Sequence, residues 1–167
     1  MKRRKFLGKT ALGTAAIVGF PSIVPASVIG KNAPSNKINI GQIGCGRIAR
    51  SHDLQDTLTF DIANVMAVCD LDSNRMKDGK VLVDQFYQEK KGKSNYNGTQ
   101  MYEDYRDMLN DKDIDAVMIS TPDHWHAQPA MEAAMAGKDI YLQKPTSLTV
   151  KEGRQLFDAV QKNNLIL

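Results

Sequence analysis

The sequence is poor in the features that staple or anchor a small fold. Its 167 residues include two cysteines, one tryptophan and 7% aromatic residues. Cys45 and Cys69 fall at the ends of expected strands, where they suit small packing positions better than a bridge, so nothing points to a disulfide-stapled fold. His124 and His126 stand two positions apart without a third identifiable ligand, so no metal is expected. Acid is missing from residues 1–30, which hold Lys2, Arg3, Arg4, Lys5 and Lys9. Setting those five charges aside turns the net charge of +3 into −2 for the remainder. A mildly acidic body gives no reason to expect a nucleic-acid partner. The apolar run at residues 10–20 is too short for a comfortable membrane span.

Arg3-Arg4-Lys5-Phe6-Leu7 followed by that run reads as a targeting segment and not as part of the fold. Pro21 and Pro25 would break a continuing helix, and Pro25-Ala26-Ser27 offers small residues near a cleavage point. The paired arginines resemble a twin-arginine export signal, which implies a periplasmic protein exported already folded. The alternative is an uncleaved basic amphipathic anchor. No lipobox-type cysteine follows, which argues against a lipid anchor. Residues 1–30 are therefore assigned to a signal peptide, 31–36 to a linker and 37–167 to the folded domain.

What is present begins with Ile38, Ile40 and Ile43, a short apolar run of strand length. It stops at Gly44-Cys45-Gly46-Arg47-Ile48-Ala49, which has the G-x-G-x-x-(G/A) form. Gly44 permits the tight turn, Gly46 lets backbone approach a pyrophosphate, and Ala49 lets the next helix lie close on the strand. The helix then points N–H groups and its positive dipole end at phosphates. Asp70 follows 26 residues after Gly44, at the end of a second strand, where a carboxylate meets adenosine ribose hydroxyls.

Residues 48–58 are expected to form the first helix, with Ile48, Leu54 and Leu58 inward and Ser51-His52-Asp53 polar. A second helix, capped by Asp72 or Ser73, runs to about Glu89 with Met76, Val83, Phe86 and Tyr87 facing the core. Residues 90–98 read as a basic, solvated loop. Residues 99–102 form a weak strand, 103–110 a short helix, and 114–120 a nearly continuous apolar strand of the kind covered on both faces. Residues 127–136 make a helix stopped by Gly137, and 139–142 a fifth strand. Thr149-Val150-Lys151-Glu152 is a capping box for a helix buried through Leu156, Phe157 and Val160. Residues 165–167 begin a sixth strand.

This alternation predicts an α/β, Rossmann-type doubly wound parallel sheet. Right-handed crossovers then bring the strand exits to one edge. Gly44, Asp70, Ser120-Thr121-Pro122 and Gln143-Lys144-Pro145 converge there, where open α/β sheets bind ligands.

From Lys37 onward the chain resembles the Gfo/Idh/MocA family of nicotinamide-dependent sugar and inositol oxidoreductases. The resemblance rests on the glycine motif, on Thr121-Pro122-Asp123-His124-Trp125-His126 and on Tyr141-Leu142-Gln143-Lys144-Pro145. It implies that Gly44, Cys45, Gly46, Arg47 and Ile48 hold the pyrophosphate and that Asp70 meets the ribose. It places Ser120, Thr121 and Pro122 beside the nicotinamide half, and Lys144 by the nicotinamide and the reacting hydroxyl. His126 is expected to fix backbone near the nicotinamide, with Trp125 a sugar-stacking or packing surface. The departure is Gln143, where many relatives carry glutamate. Without that carboxylate beside it, Lys144 is expected to give up its proton more readily and to polarise a substrate hydroxyl. A lysine that only holds phosphate or backbone is the alternative.

The resemblance also implies a second α+β domain that binds substrate and supplies the general base. The sequence is accordingly expected to be the N-terminal portion of a longer, homo-oligomeric protein, inactive alone. Asp70 favours NAD, whereas Arg75 leaves room for NADP. The leading expectation is hydride transfer on a sugar, glycoside or cyclitol hydroxyl. Competing functions are an NAD-dependent glycoside hydrolase, disfavoured by the retained Lys144-Pro145, and a non-catalytic nucleotide or sugar sensor.

Overall fold

A computed structural model describes residues 33, 36–89, 92 and 95–167. The signal peptide assigned to residues 1–30 lies outside the described residues, as do Lys90, Lys91, Lys93 and Ser94 of the basic loop. Of the linker, Ala33 and Asn36 alone are described.

Five strands form one sheet: β1 (Ile38–Ile43), β2 (Ala63–Cys69), β3 (Gln100–Tyr102), β4 (Ala116–Ile119) and β5 (Asp139–Leu142). Their spatial order is β3-β2-β1-β4-β5, and every adjacent pair is parallel. The helices are α1 (Leu54–Thr59), α2 (Ser73–Glu89), α3 (Tyr105–Asn110), α4 (Ala127–Met135) and α5 (Val150–Lys162). A doubly wound sheet of this order reverses direction between β1 and β4, and a crevice opens where the two chains leave in opposite directions.

Both sheet faces are covered, as the apolar strands require. One core joins Ile43, Ala67, Val117, Ile119 and Ile140 to Met108, Leu109, Ala130, Ala133, Leu156 and Val160. The other joins Val65, Val68 and Met118 to Leu54, Leu58, Met76, Val83 and Tyr87. Val65 and Val68 share a face although three residues apart. The β1–β2 register slips between Ile40 and Gly41, leaving Met66 as the extra residue of a bulge. A Cβ at Gly41 would lie 2.5 Å from Met108 Sδ, so the Met108 side chain would have to move to admit one.

The short β3 is held from below. Asp84 Oδ1 accepts the Thr99 N–H at 3.2 Å and the Thr99 hydroxyl at 2.6 Å, while Lys80 Nζ sits 2.7 Å from Asp84 Oδ2. The expected caps are formed. Asp72 Oδ1 accepts the Asn74 N–H at 2.9 Å, and Thr149 and Glu152 bond reciprocally in a capping box.

Four expectations need correction. Residues 49–53 are a π-helical turn, with the Leu54 N–H bonded to Ala49 O five residues back. In consequence Asp53 is buried beside Leu54 instead of facing solvent. Ile48 is 40% exposed and turns away from the core. Phe157 is exposed, its ring under the Arg154 guanidinium, while Leu156 and Val160 carry the buried face of α5. Residues 165–167 form no strand; Ile166 O accepts the Ile140 N–H at 2.9 Å, one bond where a ladder needs several.

Candidate functional site

The turn after β1 is built by backbone geometry. Gly44 has φ +84°, and a Cβ there would lie 2.9 Å from the Ser120 carbonyl carbon and oxygen. The exits of β1 and β4 therefore touch at the switch point. Gly46 is different in kind, since a Cβ there would meet nothing within 4 Å. Its role is to keep space open, and it lines a cavity of about 710 Å³.

That cavity is bounded by Gly44, Gly46, Arg47 and Ile48 from the turn, Asp70 and Asp72 from the exit of β2, and Ser120, Thr121 and Pro122 from the exit of β4. Trp125 and Arg75 also line it. Asp70 is held in one position by main chain: Oδ2 accepts the Cys45 N–H at 2.7 Å and Oδ1 accepts the Asp72 N–H at 2.8 Å. Each oxygen keeps a second lone pair for a ligand hydroxyl. Backbone N–H groups of Asn74 and Arg75 hold the Asp72 carboxyl below the usual carboxylate range. Arg75 is itself engaged, with Nε 3.5 Å from Asp72.

Beneath the turn, Cys45 is fully buried, and its thiol packs under Gly79. Burial, with Asp70 nearby, pushes the thiols of Cys45 and Cys69 up to about 12. Neutral, shielded sulfurs of this kind are packing groups and not nucleophiles. Cys45 does not line the cavity, and its main-chain N–H is taken by Asp70.

The remaining expected residues lie on the loops that follow β4 and β5. His126 is buried and bridges two loops: Nδ1 lies 2.5 Å from Pro145 O and Nε2 2.8 Å from Thr121 O. This ties the loop after β4 to the Lys144-Pro145 exit of β5, whose Lys144–Pro145 peptide is cis. Gln143, Lys144 and Pro145 do not line the cavity. Lys144 is exposed, and among the described residues its ammonium has no hydrogen-bond or ion-pair partner. Trp125 is 43% exposed, a flat apolar face on the cavity wall. Among the described residues no group of His, Cys, Asp and Glu can hold a metal ion, and no helix is long and apolar enough to cross a membrane.

Two buried polar residues complete the site without having stood out in the sequence. Gln42 Nε2 donates to Ser120 Oγ at 3.1 Å and to Gly44 O at 2.9 Å. Asp53 accepts the Ser120 hydroxyl at 2.5 Å and the Gln143 amide at 2.7 Å. A glutamine inside a strand carries no such signal. An aspartate five residues before the end of a helical segment carries none either.

A crevice lined by an open glycine cradle, a tethered carboxylate and a flat aromatic suits a dinucleotide. Comparison with known proteins agrees. The model of a family described as "GFO_IDH_MocA: Oxidoreductase family, NAD-binding Rossmann fold" matches residues 38–167. A glycosyl hydrolase family 109 protein of Shewanella baltica is 31% identical over 175 residues, covering 96% of this chain and 37% of its own. An inositol 2-dehydrogenase of Salmonella typhimurium is 30% identical over 126 residues, covering 75% and 34%. A 3-ketoreductase of Actinomadura kijaniata, solved with NADP, superposes with a TM-score of 0.65 at 26% identity, over 79% of this chain and 38% of that one. The chain thus spans a little over a third of the length of these relatives.

Proposed function

Since the chain belongs to the Gfo/Idh/MocA oxidoreductase family with its NAD-binding Rossmann fold, we propose that it forms the dinucleotide-binding part of an enzyme that oxidises or reduces a sugar-type or cyclitol hydroxyl. The observation that carries the proposal is the convergence of the Gly44 turn, Asp70 and the Ser120-Thr121-Pro122 exit on one cavity. Nicotinamide, when bound, supplies the two-electron hydride acceptor. The chain's own residues then divide the remaining work. Gly46 and the main chain of Arg47 and Ile48 receive the pyrophosphate, and Asp70 takes the ribose hydroxyls. Thr121, Pro122 and Trp125 shape the nicotinamide end and exclude water there. Lys144, on the loop held by the His126 bridge, is to polarise the reacting hydroxyl and relay its proton to the general base. Substrate binding, the general base and assembly into a homo-oligomer are assigned to parts of the protein beyond this chain's sheet.

NAD is the proposed cofactor. A 2′-phosphate would meet the fixed Asp70 carboxylate, and the nearby Arg75 is paired with Asp72. Titrating the protein with both nucleotides is expected to give NAD at least about tenfold tighter than NADP, a difference of roughly 1.4 kcal/mol. Equal or reversed affinity overturns this preference.

A second reading has specific support: the Shewanella glycosyl hydrolase matches 96% of the chain, more than the dehydrogenase does. Under it the same crevice holds NAD while a glycoside is oxidised transiently and loses its aglycone. Product analysis with the whole protein separates the two. Ketosugar formed with reduction of added NAD supports the dehydrogenase, and free sugar released without net reduction supports the hydrolase.

We also propose export through the twin-arginine route to the periplasm, on the strength of Arg3-Arg4 followed by Phe6-Leu7 and the apolar run. An R3K/R4K variant is expected to stay in the cytoplasm, by fractionation, while the unaltered protein reaches the periplasm. Unchanged export of the variant refutes the route.

A further inference from the structure

The buried carboxylate of Asp53 has no place in the cofactor scheme above. It is 6% exposed, and among the described residues no ion pair includes it. A charge placed so deep is costly unless it is fully hydrogen-bonded. Its two oxygens are satisfied by two neutral side chains, both at strand exits of the site: Ser120 Oγ at 2.5 Å and Gln143 Nε2 at 2.7 Å.

The direction of every bond in this network follows from the donor inventory. Gln42 Nε2 donates to Ser120 Oγ at 3.1 Å, so the Ser120 proton is left to point at Asp53. Gln143 must turn its amide nitrogen toward Asp53, which leaves its Oε1 to accept the Lys144 N–H at 3.2 Å. All donors therefore run toward one acid. That acid rides on the π turn directly after the glycine motif.

We propose that Asp53 is a positioning residue: acting through Ser120 and Gln143, it locks the exits of β4 and β5 to the glycine-rich turn and sets the main chain at Lys144. The network also dictates an amide at position 143. A glutamate there would face the Asp53 carboxyl group without the hydrogen that Gln143 Nε2 supplies. In D53N the new NH2 group faces one of the two donors, either Ser120 or Gln143. The exchanged pair D53N/Q143E is satisfied throughout. Its amide at position 53 donates to the carboxylate at position 143 and accepts from Ser120, and that carboxylate still accepts the Lys144 N–H.

The test compares the unaltered chain, D53N, Q143E and D53N/Q143E. The inference borrows its binding readout from the proposed function. Trp125 is the sole tryptophan and lies on the cavity wall, so its fluorescence reports NAD binding directly. At a temperature where all four are folded by circular dichroism, each single variant is expected to bind NAD about tenfold more weakly. The exchanged pair is expected to recover to within about threefold of the unaltered chain, and its melting midpoint to exceed that of both singles. Should Q143E not fold, the exchanged pair against D53N decides alone, with tighter binding expected in the pair. A pair no better than D53N in affinity and midpoint overturns the inference. If the unaltered chain binds neither NAD nor NADP, the proposed function fails, while the melting midpoints still judge the network.

Discussion

Replacing Gly44 with alanine is expected to lower stability by about 2–4 kcal/mol and to abolish dinucleotide binding. Two costs combine. A residue with a Cβ resists φ +84° by about 1–2 kcal/mol. The new Cβ would also lie 2.9 Å from the Ser120 carbonyl carbon and oxygen, which are main chain and cannot swing aside. The exits of β1 and β4 would have to separate, opening the switch point itself. The melting midpoint is expected to fall by roughly 10 °C for a domain of this size. Gly46→Ala is the informative partner. Its Cβ meets no protein atom within 4 Å, so the midpoint should move by no more than about 2 °C. Yet that methyl group enters the cavity where the pyrophosphate is proposed to lie, and NAD affinity should fall at least about thirtyfold. Thermal melts and calorimetric titration read both effects. A Gly46→Ala protein that binds NAD as tightly as the parent would place the phosphates elsewhere.

The contrast between these glycines shows what a sequence can and cannot convey. The motif spacing located both, and the apolar runs of β1, β2, β4 and β5 located the exits they serve, because strand ends and turns are local events. Asp139–Leu142 matches the expected fifth strand residue for residue, and the capping box at Thr149 and Glu152 forms as read. Asp53 escaped because a regular helical period assigns Ser51-His52-Asp53 to solvent, whereas one π turn buries Asp53 beside Leu54. Ile48 is exposed because it lines the cavity. Val65 and Val68 share a face only through the bulge at Met66, which no two-residue period anticipates. Phe157 was misassigned because a helix at the end of the described fold has one covered stripe, which Leu156 and Val160 fill.

The polar network had a further reason to stay hidden. Gln42, Asp53, Ser120 and Gln143 come from four different segments, and none is unusual where it stands. Their meaning is tertiary. The sheet sets β1 between β2 and β4, and only that neighbourhood lets an acid on the first helix reach the exits of β4 and β5. The Gln143 amide, which in isolation looks like the loss of a carboxylate beside Lys144, is accompanied by a carboxylate one hydrogen bond further in.

Lys144→Met in the whole protein is expected to lower kcat by about 10²–10⁴-fold, the range for loss of a general acid or base. NAD affinity should change by less than about threefold. The separation of the two effects follows from position. Lys144 does not line the cavity, and its side chain engages no described residue, so dinucleotide binding is expected to depend little on its charge. Its main chain is nevertheless fixed, by Gln143 Oε1 on one side and by the His126 bond to Pro145 O on the other. A flexible stem on a held backbone suits a group that must reach a substrate hydroxyl and exchange a proton. Lys144→Arg refines the test. Arginine keeps the positive charge but does not release its proton near neutral pH. If Lys144 transfers a proton, the arginine variant should be nearly as slow as the methionine variant. If the lysine merely attracts phosphate, arginine should restore most of the rate, and methionine should raise the NAD dissociation constant while leaving kcat at saturation little changed. Stopped-flow turnover with saturating nucleotide, set beside equilibrium titration of the same preparations, distinguishes these outcomes.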